Sequence, residues 1–180
     1  MNEEIILVFP TIEYEQQAKE LIEETIRLDN ENPDKWAGFS RLQEFDNYKE
    51  WIVTLINELD KNKLAPGRVC ATTYFSVRKS DNKILGIINI RHELNDYLYN
   101  FGGHIGYSIR PTERRKGYGN KQLSLALDKC INLDIKKVLI TCRENNIGSA
   151  KTIESCHGKL ENIVFNESEN DNFKRYWIEF

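Results

Sequence analysis

The sequence predicts a mixed α/β fold, one sheet antiparallel in its first half with a parallel step in its middle. Three observations carry that prediction. Residues 69–78 alternate, with Val69, Ala71, Thr73, Phe75 and Val77 on one face, and a polar turn at 80–83 returns the chain along 84–92. Two stretches, 13–29 and 48–59, carry apolar residues at helical spacing. The run from Ile105 to Cys142 then reads strand, glycine-rich loop, helix and strand, the order of a βαβ unit with parallel strands.

Taken in order, residues 5–9 (Ile-Ile-Leu-Val-Phe) read as the first strand, stopped by Pro10. Residues 13–29 follow as a helix with Ala18, Leu21, Ile22 and Thr25 on one side. Residues 30–41 are polar and broken by Pro33 and Gly38, with a short helix expected around Trp36 and Phe39. The second helix has an apolar stripe of Tyr48, Trp51, Ile52, Leu55, Ile56 and Leu59, and Asn47 with Glu50 forms a capping pair at its start. After the hairpin, 95–101 is irregular and aromatic, and Gly102-Gly103 opens the next strand. A helix is expected at about 120–133, a strand at 136–142 and a helix at about 146–156 with Gly158 as its C-terminal cap. Strands at 160–165 and 173–180 close the chain, joined by an acidic loop at 166–172.

Composition bounds the function. The chain has 180 residues, 40% of them hydrophobic and 29% charged, which fits a single folded domain spanning 1–180. A net charge of -3 argues against a dedicated nucleic-acid binder. No apolar run reaches the roughly 20 residues of a membrane span. The acidic first residues lack the basic start of a signal peptide, so a cytoplasmic protein with no membrane partner is expected. Cys70, Cys130, Cys142 and Cys156 form no C-x-x-C pair, and the expectation is buried reduced thiols and no metal.

The chemistry concentrates in Ile105–Gly119, Ile-Gly-Tyr-Ser-Ile-Arg-Pro-Thr-Glu-Arg-Arg-Lys-Gly-Tyr-Gly. A helix start has main-chain N–H groups without partners and a partial positive charge. Glycines let an anion approach them, and Arg114, Arg115 and Lys116 would add full charges. The stretch is not a nucleotide P-loop, since no G-x-x-x-x-G-K-S/T string occurs. It is not the dinucleotide fingerprint either, because the third glycine would fall on Gln122.

The string Ile109-x-Pro111-x-x-Arg114-x-x-Gly117-x-Gly119 resembles the acetyl-coenzyme A signature of the GNAT (GCN5-related) N-acetyltransferases. Asn145-Asn146-Ile147-Gly148-Ser149 resembles the start of that family's next helix, and Ile153 to Gly158 its closing turn. The element order extends the resemblance over nearly the whole chain. Gly102-Gly103-His104-Ile105-Gly106-Tyr107, with Ile140-Thr141-Cys142 and Tyr176-Trp177-Ile178, is similar to a bacterial-type subgroup of uncharacterised members. The resemblance implies the acyl-CoA N-acyltransferase fold, about seven strands and about four helices, with two central parallel strands splayed around the thioester.

It implies roles as well. Acetyl-CoA is the co-substrate. Main-chain groups of Ile109, beside Arg110, would hold the acetyl carbonyl and pantetheine. The N–H groups from Arg115 through Lys116, Gly117 and Tyr118 to Gly119, with Arg114, would wrap the pyrophosphate. Asn145 or Asn146, with Ser149, would hold the pantetheine from the other side. One family feature is missing: no Tyr lies between Asn145 and Gly158 to protonate the departing thiolate. That absence leaves a non-catalytic acyl-CoA sensor as the alternative.

The reaction needs a base for the attacking amine, ideally with a pKa near 7. The candidates are His104, on the strand that ends in Ile109, and His92 and Glu93, at the end of the preceding strand. His157, at a helix C-terminus, reads as a surface group. The acceptor is expected to be a small-molecule or peptide amine, with 30–45 and the acidic loop shaping its pocket. The protein is expected to act as a monomer or homodimer.

Overall fold

A computed structural model describes residues 3–180. Among them are seven strands and four α-helices. The order is β1 (Ile5–Val8), α1 (Glu15–Asp29), α2 (Tyr48–Asn57), β2 (Ala71–Arg78), β3 (Lys83–Arg91), β4 (Ile105–Ile109), α3 (Tyr118–Asn132), β5 (Lys137–Arg143), α4 (Ile147–Ser155), β6 (Lys159–Asn166) and β7 (Asp171–Glu179). The strands form two antiparallel sheets, β1-β2-β3-β4 and β5-β7-β6.

β3 is buried along nearly its whole length because helices cover both faces of the first sheet. On one face α1, the turn before it and α2 bring Tyr14, Leu21, Trp51 and Leu55 against Phe75, Val77 and Ile87. On the other, α3 and α4 bring Leu123, Ala126 and Ile153 against Ile88, Ile90, Ile105, Val138 and Ile140. This second cluster spans both sheets. Each fully buried Leu or Ile in it contributes about 1.5–3 kcal/mol of transfer free energy, so it is a main tie between the two halves.

The expected parallel step takes an unusual form. β4 and β5 share no ladder. They meet at one place, where the His104 N–H donates to the Leu139 carbonyl (2.7 Å) and the Leu139 N–H donates to His104 Nδ1 (2.9 Å). The strands advance in the same sense, since Tyr107 lies close to Cys142, each three residues further on. Beyond His104 no ladder joins them, so the gap between their facing main chains is not closed by strand-to-strand hydrogen bonds, in keeping with the splay that the resemblance implies.

Several local expectations change. No helix forms around Trp36 and Phe39. Gly38, Ser40 and Arg41 all take positive φ (81°, 48° and 60°), which turns the chain out of a helix and leaves only a 3-10 turn at Leu42–Glu44. The stripe of α2 buries Tyr48, Trp51 and Leu55, whereas Ile56 and Leu59 face solvent, because the helix touches the sheet along one narrow line. The aromatic stretch is not wholly irregular: Leu98–Gly102 forms a π-helical turn closed by the Gly103 N–H on the Leu98 carbonyl. At the end of α4 the left-handed residue is His157 (φ +67°), not Gly158. Gly158 has a different constraint, since a Cβ there would lie 2.4 Å from Ile153 Cγ2.

Candidate functional site

The gap has one prepared wall. Antiparallel pairing alternates, so every second residue of an outer strand turns its main-chain groups away from its neighbour. In β4 the His104 carbonyl accepts from the Arg91 N–H, and the Arg110 N–H donates to the Leu85 carbonyl. With Gly86 opposite Ile109 and Ile90 opposite Ile105, the intervening residues Ile105, Tyr107 and Ile109 turn theirs toward the gap. An extended ligand can add there as a strand would.

The loop after β4 supplies the next part. Gly117 caps α3 with φ +82°, a left-handed conformation that side chains rarely adopt, and a Cβ built on it would meet nothing within 4 Å. Among the described residues no main-chain acceptor meets the N–H groups of Arg115, Lys116, Gly117, Tyr118 or Gly119. They form a run of donors at the start of a 15-residue helix, open to solvent above Gly117.

The cations of the loop behave differently from expectation. The Arg114 guanidinium makes a bidentate pair with Asp29 (2.7 and 2.9 Å), and its Nε–H donates to the Ile109 carbonyl (3.0 Å). Arg110 Nε–H donates to buried Glu24 (2.7 Å), which also takes the N–H and hydroxyl of Thr112. Lys116 pairs with Glu113, which Lys83 also reaches. Burial would raise the Glu113 carboxyl, but the two lysines hold it below its usual pKa. Of these cations only Arg115 is exposed and outside every ion pair among the described residues. The donors of the loop left without a protein partner among the described residues are therefore its main-chain N–H groups and the Arg115 side chain. Tyr118 turns inward, its hydroxyl bonded to Glu3 and Arg78.

Facing this wall is the start of α4. Asn146 caps the helix, its Oδ1 accepting from the Ser149 N–H (3.0 Å) while its Nδ2 donates to Asp34 (2.9 Å). Its amide is committed to structure, so of the two asparagines only exposed Asn145 has a side chain available to a ligand. The Ser149 hydroxyl lies 3.0 Å from the Tyr107 hydroxyl, a bridge from β4 to α4. Burial raises the Tyr107 pKa far above its usual value, so the phenol keeps its proton at neutral pH.

The three proposed bases separate. His104 is buried, and its Nδ1 is taken by the Leu139 N–H, which leaves the ring proton on Nε2. Burial first, then the charge of Arg91, lower its pKa to about 4, a poor match for a base working near neutrality. Its geometry is that of the pin between the two sheets. His92 Nε2 is bonded to Thr72 Oγ1 (2.8 Å), and burial lowers its pKa too. Glu93 is exposed and lies 3.8 Å from Lys61, in the direction of the α2–β2 connection. Only His104 borders the gap.

The structure adds one assembly that local sequence does not display. Arg143, at the end of β5, is buried and donates to Asp34 Oδ1 (2.8 Å), Asp171 Oδ2 (2.8 Å) and Glu169. Glu169 also accepts from the Tyr97 hydroxyl (3.2 Å). The 30–45 segment and the β6–β7 hairpin, both expected near the acceptor, thus meet on one guanidinium. The first of them also lies on β4: a Cβ on Gly38 would be 2.6 Å from the Gly106 carbonyl oxygen. No spacing in the sequence signals these contacts. The acidic character of 166–172 was the one available hint.

Comparison with known proteins agrees with this geometry. A family model described as an acetyltransferase (GNAT) domain matches residues 10–159. The comparison with curated proteins gives no match. Among solved structures, the microcin C7 self-immunity acetyltransferase in complex with acetyl-CoA and AMP is similar at 17% identity and TM-score 0.68, over 100% of this chain and 94% of that one. An acetyltransferase that modifies the N-terminal serine of ribosomal protein L7/L12, from Salmonella typhimurium, is similar at 15% identity and TM-score 0.65, over 100% and 96%. The spermidine N-acetyltransferase of Vibrio cholerae, with CoA and spermine, follows at 14% and 0.64, over 97% and 95%.

Proposed function

Because the chain belongs to the GNAT acetyltransferase family, and is thus an acyltransferase, we propose that it moves the acetyl group of acetyl-CoA to a primary amine on a cationic small molecule or peptide. The observation that carries the reading is the continuity of two unpaired surfaces. The outward main-chain groups of Ile105 and Tyr107 and the outward N–H of Ile109, whose carbonyl is taken by Arg114, lead toward the open N–H groups of 115–119. A ligand that is an extended amide-bearing arm at one end and a pyrophosphate at the other fits both. Next to α3's first turn a groove of about 580 Å³, bordered by Asn120, Ser124 and Cys156, leaves room for further parts of such a ligand.

In this reading the gap holds the thioester, with the Ile109 N–H toward its carbonyl oxygen. The ammonium first gives one proton to solvent; the free amine then attacks the carbonyl carbon, the oxygen takes up negative charge, and that N–H stabilises it. The carbon–sulfur bond then breaks and the amide forms. The departing thiolate takes a proton, for which Tyr107 and Ser149 are the hydroxyls bordering the gap, and the amine's surplus proton leaves to solvent. Three carboxylates against one guanidinium leave the Asp34–Glu169–Asp171 cluster with excess negative charge, which favours an ammonium acceptor. That two similar proteins act on, or were solved with, a polyamine or a peptide N-terminus is consistent with this class.

Calorimetry with CoA and thiol release with a panel of amines test the proposal. The expected result is 1:1 coenzyme binding, and turnover that is faster with spermidine or peptide N-termini than with neutral amines and falls as salt rises. Absence of coenzyme binding would overturn it.

A further inference from the structure

The contacts of Arg114 have a consequence for the reacting end of the site. The peptide joining Ile109 to Arg110 is held at both ends: its N–H donates to the Leu85 carbonyl (2.8 Å), and its carbonyl accepts from Arg114 Nε (3.0 Å). Arg114 is in turn fixed by the two carboxylate oxygens of Asp29, the last residue of α1. A bidentate arginine–carboxylate pair sets the plane of the guanidinium as well as its position. The Nε–H can then point only one way, and here it points at Ile109. Burial alone would raise the Asp29 carboxyl, and the Arg114 guanidinium outweighs it, so the pair stays ionised at neutral pH.

We propose that Asp29 and Arg114 are positioning residues for acyl transfer: they form a brace from α1 that locks the Ile109–Arg110 peptide, and so holds the Ile109 Cα, on whose other side lies the Ile109 N–H that meets the acetyl carbonyl. This rests on the coenzyme reading of the loop. It gives Arg114 a task other than phosphate neutralisation, and it gives α1 a part in catalysis without any contact to the coenzyme. A few tenths of an ångström of freedom in that N–H costs rate, not nucleotide affinity, because the nucleotide end is held elsewhere, by the main chain of 115–119.

The test compares Arg114→Ala, Arg114→Lys, Asp29→Asn and the Arg114→Ala/Asp29→Asn double variant with the parent. Two readouts are taken. One is the Kd of adenosine 3′-phosphate 5′-diphosphate, which keeps the pyrophosphate but lacks the pantetheine arm. The other is kcat for acetyl transfer at saturating acetyl-CoA. The brace predicts a fall in kcat of about tenfold in every single variant, Lys included, and no larger fall in the double variant, because the residues act as one unit. It predicts a fragment Kd within about twofold of the parent throughout, which also shows that the variants are folded.

If Arg114 instead contacts phosphate, Arg114→Ala weakens the fragment strongly, Arg114→Lys largely rescues it, and Asp29→Asn does not weaken it. That pattern overturns the proposal, as do additive losses in kcat or loss of fragment binding in any of the variants. If the parent binds neither CoA nor the fragment, the function proposed above fails, which separates the two outcomes.

Discussion

At the scale of single residues, the glycines of the loop and its cations do different work. Gly117 needs its positive φ, and the space beyond its Cα is open. Gly117→Ala should therefore cost stability by about 1 kcal/mol from the left-handed backbone alone. Gly119 is close to α4, where a Cβ would lie 3.4 Å from Thr152 Oγ1. Gly119→Trp would fill the space between the donor loop and that helix, and calorimetry on the folded variant should show no CoA binding. Normal affinity would contradict the placement of the pyrophosphate. The glycines were legible in sequence because their spacing is local. The fate of Arg114 was not: its partner Asp29 lies 85 positions away in a helix whose pattern announces only its buried face. The same holds for Arg143 and Asp34, and for Tyr107 and Ser149, where no periodicity links the members.

At the scale of elements, strands were readable wherever one face alternates or both faces are apolar, and helices wherever a stripe persists. Reading failed where main-chain conformation overrode composition. The apolar residues near Trp36 fit a short helix, yet three left-handed residues within 38–41 forbid it. The start of α4 shows how one side chain can serve both an element and its neighbour. Asn146 satisfies a helix-end N–H and also holds Asp34, so Asn146→Ala removes a cap and a tether together. The cap alone predicts a loss of about 1 kcal/mol, or a fall in Tm of roughly 2–4 °C for a chain of this size. The tether predicts a raised KM for the amine with little change for acetyl-CoA. Equal increases for both substrates would show that Asp34 is not part of the acceptor's surroundings.

At the scale of the whole molecule, the two sheets share a core, and among the described residues their main chains are joined where His104, just before β4, meets Leu139 of β5. The His104 ring sits at a pKa of about 4, against 6.5 for an unperturbed histidine. The native state binds this proton less readily than the unfolded chain does. The stability His104 contributes is thus complete above pH 6.5 and is lost as pH falls from there toward 4. In His104→Asn, whose Oδ1 can still accept from Leu139, this part of the pH dependence should vanish. Thermal melts of both proteins at pH 7 and pH 4.5 check it: the gap in Tm between them should narrow at the lower pH, and a constant gap would refute the assignment. The junction was only half legible. The strand–loop–helix–strand order implied neighbours in parallel, but nothing in the pattern said that a histidine would replace a ladder.

The two sheets also differ in when they come into being during synthesis. The first is built from β1 to β4 and the second from β5 to β7, each from one unbroken stretch of chain. As the ribosome extends the chain, the four-stranded sheet can close with α1, α2 and α3 around it before β5 has been made. The glycine loop, the Asp29–Arg114 pair and the outer edge of β4 all belong to that early part. What arrives last is α4, the β6–β7 hairpin and the far wall of the gap. The nascent protein thus completes the half with the proposed anion site first, and the proposed thioester gap gains its second wall only when the later strands dock through Leu139.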